Sequence, residues 1–280
     1  MTQLLGTSSA AVKRLAGDAS MFGRQLACYS QWMDAGRARV RILTWNIHKG
    51  IGGVDRRYDL RRIIELIAHY SPDVALLQEV ADRLPRTNHH NQAELLADAL
   101  GMPHMAYHPQ HQFVAGGYGN LILSRWPLTD IEHVDLTIGT RKKRGVVRAR
   151  ARIKFDEESR SVLLYNMHLG LAGSERDEQL RRFLNCHPFA GVHQTTPLVV
   201  GGDLNDLWGT LGTRFLLPQG LQRVGALANT FPAALPLRPL DGLFVRGTLK
   251  VSHWLVPQSA LASRASDHRP IVADIDLFQS

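Results

Sequence analysis

Apolar and polar residues fall into a regular pattern from Arg39 onward. Val40 to Trp45 alternates as a strand, with Asn46-Ile47-His48-Lys49-Gly50 at its end. Leu60, Ile63, Ile64 and Ile67 recur at i, i+3, i+4 and i+7, which predicts a helix stopping at Ser71-Pro72. Val74-Ala75-Leu76-Leu77 reads as a buried strand that ends in Gln78-Glu79. A second helix spans Asn91 to Leu100, with Gly101 at its C-terminus. Strands follow at Tyr118 to Ser124, Ile131 to Asp135, Val146 to Phe155 and Ser161 to His168, the last two forming a hairpin. Ser174-Glu175-Arg176-Asp177 has the form of a capping box, opening a helix that buries Leu180, Phe183 and Leu184. Leu198-Val199-Val200 then runs into Gly201 and Gly202, which are expected to end that strand and leave room for a substrate. After a loop-rich segment to Pro239 come strands at Asp241–Val245, Val251–Val256 and Pro270–Leu277.

Hairpins alongside helix-linked strands exclude a purely parallel doubly wound sheet. The pattern predicts an α/β protein with two mixed β-sheets packed face to face and helices outside. No repeat, low-complexity tract or linker interrupts residues 39–280, which read as one domain. Residues 1–38 read as an extension. Phe22, Leu26, Tyr29 and Met33 have helical spacing broken by Gly17 and Gly23, and Lys13, Arg14 and Arg24 would suit such a helix to a membrane surface. A flexible extension fits the same residues.

Composition narrows the partners. The chain has 280 residues, 44% of them hydrophobic, so it can bury a sizeable core. No apolar run approaches the ~20 residues of a membrane span, and no continuous secretory h-region is present. Cys28 and Cys186 lie far apart, which argues for a reducing cytoplasm, peripheral at the membrane if the extension docks there. The net charge of +8 favours anionic partners: nucleic acid, phospholipid headgroups or small phosphates.

Polar residues recur where apolar runs end: Asn46, Glu79, Asn120, His168, Asp203, Asn205, Asp241, Asp267 and His268. Any one of them reads equally as a solvated strand tip, and Asp203-Leu204-Asn205 as a turn. A buried Glu79 would need a partner or a cation. Asn46, Glu79 and Asp267 supply hard oxygen ligands suited to Mg²⁺ or Mn²⁺, and two cysteines cannot build a zinc site. The corresponding reaction is metal-assisted attack of water on phosphorus.

Thr44-Trp45-Asn46, Leu77-Gln78-Glu79, Gly119-Asn120-Leu121-Ile122-Leu123-Ser124-Arg125, Asn166-Met167-His168-Leu169, Gly202-Asp203-Leu204-Asn205, Asp241-Gly242-Leu243-Phe244 and Ser266-Asp267-His268-Arg269-Pro270 occur in this order. Together they resemble the endonuclease/exonuclease/phosphatase superfamily. The resemblance implies a four-layer α/β sandwich and a divalent-metal phosphohydrolase acting on a phosphoester, expected to work as a monomer. It implies Glu79 as principal metal ligand, Asn46 helping to place metal or phosphate, and Asp267 supporting the metal region. Asp203 would orient or deprotonate water, His268 being the other candidate base; Asn205 would hold the phosphate, and His168 and His268 would donate to its oxygens, with Asp241 fixing the ring of His268. Asn120, Arg144 and Tyr118 are the substrate-binding candidates. The sequence departs from the family pattern at Met167, where many members carry Thr, and at Gly242, where Tyr is common.

His104, His108 and His111 have ligand spacing for a helix, but Pro103 and Pro109 spoil it; with His89 and His90 they read as a polar surface loop. Arg141-Lys142-Lys143-Arg144 reads as a solvated loop or an anion-attracting rim, Arg144 being the member placed to reach a phosphate. His48 and Lys49 directly follow Asn46 and are further candidates. Trp208 and Trp254 could stack on a base, although burial is the commoner fate of Trp. The favoured reading is a phosphodiesterase for a small or lipid-derived phosphoester, because Gly119 to Leu128 resembles a run in sphingomyelinase-like and uncharacterised bacterial members. The alternatives are a deoxyribonuclease or abasic-site endonuclease, and a phosphate-binding module without catalysis. Against the module stands the retention of every expected catalytic position.

Overall fold

Strands that are apolar on both faces need cover on both sides, and the architecture supplies it. The computed structural model describes residues 37–155 and 158–278. In chain order the strands are β1 (Arg37–Asn46), β2 (Val74–Asp82), β3 (His104–Gln112), β4 (Gly117–Ser124), β5 (Leu128–Asp135) and β6 (Gly145–Phe155). They continue with β7 (Glu158–His168), β8 (Leu198–Asp203), β9 (Gln222–Arg223), β10 (Asp241–Arg246), β11 (Leu249–Leu255) and β12 (Ile271–Phe278). Two six-stranded mixed sheets result, in the orders β11-β12-β1-β2-β4-β3 and β5-β6-β7-β8-β10-β9. The helices are α1 (Leu60–Tyr70), α2 (Gln92–Leu100), α3 (Gly173–Asn185), α4 (His187–Ala190) and α5 (Ala260–Ala265).

Strand periodicity sorts the side chains into three cores. Ile42, Leu76 and Ile122 of the first sheet meet Leu164, Val199 and Leu243 of the second between the sheets. Their neighbours Leu43, Leu77 and Leu121 point outward and pack under Ile63 and Ile67 of α1 and Leu96 of α2. On the far side Tyr165, Val200 and Phe244 lie under Leu180 and Phe183 of α3 and Phe189 of α4. Helices therefore cover both outer faces, the four layers that the motifs implied. Asp59 caps the start of α1 by accepting from the Arg61 amide, and Ser71, in the left-handed region, ends it just before Pro72. Among the described residues no helix is long and apolar enough to cross a membrane. The helical pattern of Phe22 to Met33 lies outside the described residues.

Three local expectations give way. Strand β8 does not end at Gly201 but runs through both glycines to Asp203. A Cβ on Gly202 (φ +144°) would meet the Met167 carbonyl oxygen of β7 at 1.9 Å, and one on Gly201 would meet Leu76 and Leu243 at 2.8 and 2.9 Å. The glycines thus let strand and sheet approach closely, and the space belongs to the protein rather than to a substrate. His104 to Gln112 is a strand and not a loop. It lies at the sheet edge, where a register shift between Pro109 and His111 accommodates the proline. There His108 stacks on His133 with ring centroids 4.3 Å apart. Finally, α3 starts at Gly173 with no side-chain cap: Ser174 lies inside the helix, and Asp177, the far end of the expected box, pairs with Arg214 instead.

Candidate active site at the strand ends

Register brings the candidate residues together. Strand β7 pairs in parallel with β8 so that His168 stands beside Asp203, and β10 pairs antiparallel with β8 so that Asp241 stands on the other side of Asp203. His268, just before β12, closes the row: its Nδ1 lies 2.8 Å from Asp241 Oδ2 and its Nε2 3.7 Å from Asp203 Oδ2. The backbone of His268 is fixed from β1, the neighbour of β12 in the first sheet, since Trp45 Nε1 donates to its carbonyl at 2.8 Å. Asn46, at the end of β1, donates from Nδ2 to Asp203 Oδ2 at 2.9 Å, and its Oδ1 accepts from the His48 amide. Asn205 sits in the left-handed region (φ +49°), donates its amide to Asp203 Oδ1 at 2.9 Å and its side chain to the Leu169 carbonyl at 2.9 Å. Asp203 is thus a buried hub touched from both sheets.

Glu79 reaches the site by a different device. A bulge between Leu77 and Val80 breaks the pairing of β2 with β4, and Glu79 takes a positive φ of +54° within it. Such a conformation costs a non-glycine residue on the order of 1 kcal/mol and is characteristic of bulges that re-aim a side chain. Its carboxylate pairs with the Lys49 ammonium. Burial opposes that charge, but the Lys49 ammonium, paired directly with it, outweighs burial and holds Glu79 below the usual carboxylate range. His48 stands between Glu79 and Asp267, with its Nδ1 3.6 Å from Asp267 Oδ1. Below the site, Gln78 donates to Asn166 Oδ1 at 2.7 Å, and Asn166 donates to the Leu77 and Leu121 carbonyls, a polar bridge between the sheets.

The two histidines carry opposite charge states. Burial, aided by the Arg144 guanidinium, pushes His168 well below the ordinary imidazole value, so it is neutral near pH 7. Arg144 Nη1, which can only donate, faces His168 Nδ1 at 3.4 Å; Nδ1 is then the acceptor, and the proton sits on Nε2, 3.4 Å from Asp203 Oδ2. At His268 burial also disfavours charge, but Asp241 and Asp203 on either side prevail and raise its pKa, keeping an imidazolium. Burial in turn raises the Asp203 carboxyl. The row therefore offers an N–H donor at His168, a charged donor at His268 and a carboxylate of raised basicity between them, which suits handling of a water proton and a phosphoryl oxygen.

Two groups bear on metal binding. Asp203, Asp241 and His268 have ligand atoms within 4.8 Å of one another and could hold an ion by distance alone. The imidazolium argues against this, because His268 would first have to give up one of its two ring protons before it could ligate. By donor type alone the oxygens of Glu79, Asn46 and Asp267 suit a hard divalent cation, and the Lys49 ammonium meets the Glu79 charge that a cation would neutralise.

The remaining sequence candidates spread around this centre. Arg144 is buried against His168. Asn120 donates to the Gly145 carbonyl at 3.2 Å, and its buried Oδ1 has no partner. Tyr118 is buried under two ammonium groups, Lys49 at 4.7 Å and Lys142 at 5.3 Å. Asp206, three residues beyond Asp203, takes no part and accepts from the Leu211 amide. Trp208 is 70% exposed, so burial is not its fate. Thr230, which donates to Asp241 Oδ2, escaped the sequence reading: it lies in the loop-rich stretch before Pro239, without periodicity to mark it.

Residues 43–268 match the Endonuclease/Exonuclease/phosphatase family. The uncharacterized protein YbhP of Escherichia coli (strain K12) is 29% identical over 255 residues, covering 85% of this chain and 96% of that protein. The crystal structure of an endonuclease/exonuclease/phosphatase from Beutenbergia cavernae superposes with a TM-score of 0.73 at 24% identity, over 86% of this chain and 72% of that one. The mannosyl-6-phosphatase Bt3783 of Bacteroides thetaiotaomicron does so with a TM-score of 0.65 at 16% identity, over 84% and 99%.

Proposed function

The chain belongs to the endonuclease/exonuclease/phosphatase family, whose members hydrolyse phosphoesters, and we propose that it is a divalent-metal-dependent phosphodiesterase acting on a small or lipid-derived phosphoester. The observation that carries this reading is the contact row His168–Asp203–His268–Asp241, buried at the strand ends, with the Glu79 carboxylate within electrostatic reach of His168.

On this reading Glu79 and Asn46, with support from Asp267, would hold Mg²⁺ or Mn²⁺. When bound, the ion neutralises phosphoryl charge and polarises the ester. Asp203 orients the attacking water and takes its proton, a role that its raised basicity suits. His268 donates from Nε2 to a phosphoryl oxygen, while Asp241 holds Nδ1 and Thr230 holds Asp241. His168 donates from Nε2, its tautomer set by Arg144. Asn205, Asn120, Arg144 and Tyr118 position the phosphate and its substituent. Most of the rate enhancement on this reading comes from donors aimed in advance at developing phosphoryl charge.

Purified protein with Mg²⁺ or Mn²⁺ is expected to hydrolyse an activated phosphodiester, and EDTA to abolish turnover. A panel of lipid phosphodiesters, a plasmid and an abasic-site duplex then assigns the leaving group, and the mannosyl-6-phosphatase among the structural relatives adds a sugar phosphate to it. Plasmid nicking with steep salt dependence and inert lipids would move the reading to a nuclease. Binding across the panel without turnover would leave a phosphate-binding module.

A further inference from the structure

The loops at the site's edge of the sandwich are apolar and basic at once. Val114, fully exposed, stands beside the exposed Phe113 at the tip joining β3 to β4, the strand that bears Tyr118 and Asn120. Leu171, 71% exposed, follows His168, and Trp208 follows Asn205. Leu235 and Leu237, both well exposed, precede Asp241 in the loop whose Phe231 ring lies 5.0 Å from that of His268. Each of these loops leaves or enters a strand end that carries a candidate site residue. The apolar side chains therefore stand around the mouth. Single exposed apolar residues need no explanation, but a set of them around one mouth marks an interaction surface.

Cations are interleaved with them. Lys142 and Lys143 lie in the loop entering β6, Arg56 and Arg57 follow Lys49, and Arg86 follows β2, all exposed. The Arg238 guanidinium lies 5.0 Å over the exposed Trp208 ring and ties two of the apolar loops together.

The aliphatic members decide the occupant. Valine and leucine neither stack on a base nor bind a phosphate, so a nucleic acid would leave Leu171, Leu235 and Leu237 without a partner. An acidic bilayer satisfies both halves of the surface: apolar side chains enter the acyl boundary while Lys and Arg meet lipid phosphates. An Arg-backed Trp is suited to the headgroup level, and the net charge of +8 has the complementary sign. We propose that this face docks on an anionic phospholipid bilayer, with the site mouth held against the headgroup layer. The docking rests on the surface residues alone and does not depend on the catalytic assignment.

Flotation of the whole chain with vesicles tests it. Phosphatidylglycerol-rich vesicles are expected to bind at least about tenfold more tightly than phosphatidylcholine vesicles. The combined variant Val114→Ser, Leu235→Ser, Leu237→Ser is expected to bind about tenfold more weakly. Arg57→Glu with Lys143→Glu is expected to erase the preference for phosphatidylglycerol. Unchanged thermal midpoints would show that both variants keep the fold, so that docking is read apart from turnover. Absence of flotation, equal flotation of the parent and the serine variant, or tighter binding to a single-stranded oligonucleotide than to the vesicles would overturn the proposal.

Discussion

His268 is buried between two carboxylates, and that position decides what the residue can do. An imidazolium costs little there only because Asp241 and Asp203 stand on both sides of it. Replacement by alanine removes the charged donor and leaves the two acids facing each other. His268→Ala is expected to lower kcat by roughly 10²- to 10⁴-fold with a smaller effect on KM; full turnover by this variant would refute the assigned role. His268 and its neighbours could be picked out in the sequence because each polar side chain stands next to an apolar strand. Thr230 could not. Its place beside Asp241 depends on a loop that folds back through the Phe231–Arg238 bridge and is held by the Arg269 amide, contacts set far along the chain. The pairing of Lys49 with Glu79 was equally hidden, since it needs the bulge that turns Glu79 out of regular pairing.

At the level of the element, β8 carries the tightest constraint. Any side chain at Gly202 must displace the backbone of β7, so Gly202→Ala is expected to destabilise the protein by more than about 3 kcal/mol. A shift in urea midpoint is the measurement; a variant as stable as the parent would show that β7 yields freely. Most strands were legible because they alternate, or because, buried on both faces, they run apolar throughout. Strand β3 was not, since an edge strand half open to water carries His, Gln and Pro with no apolar face to set a period. The glycines of β8 misled in the opposite direction: the same residues serve a turn or a close approach, and only the neighbouring strand tells which. The four layers followed from pattern and resemblance together; the register that aligns His168, Asp203 and Asp241 required the coordinates.

For the whole molecule, one buried acid far from the site sets part of the stability. Asp73, just before β2, accepts from the Arg41 amide, and burial raises its carboxyl to about 6 against Arg125 and Arg41. The unfolded chain releases this proton near ~4. Between these values the folded form binds more protons at Asp73, so the contribution of this group to stability is greatest below about 4 and is lost as pH rises through about 6. Asp73→Asn keeps an acceptor for Arg41 without the ionisation. Its thermal midpoint relative to the parent is expected to rise between pH 4 and 6 and then level off, equivalent to roughly 2–3 kcal/mol; a difference that stays flat with pH would exclude the effect. A last consequence follows from the hydrogen bonds that cross between the sheets, Asn46 to Asp203 and Gln78 to Asn166. Neither sheet owns the reactive centre, because each contributes half of it across the gap. Prying the sheets apart by about 1 Å, with every strand ladder intact, would already misalign the donors. Turnover is therefore a gauge of how tightly the sandwich is closed, and under pressure or mild denaturant it would fade while the β content still looked native.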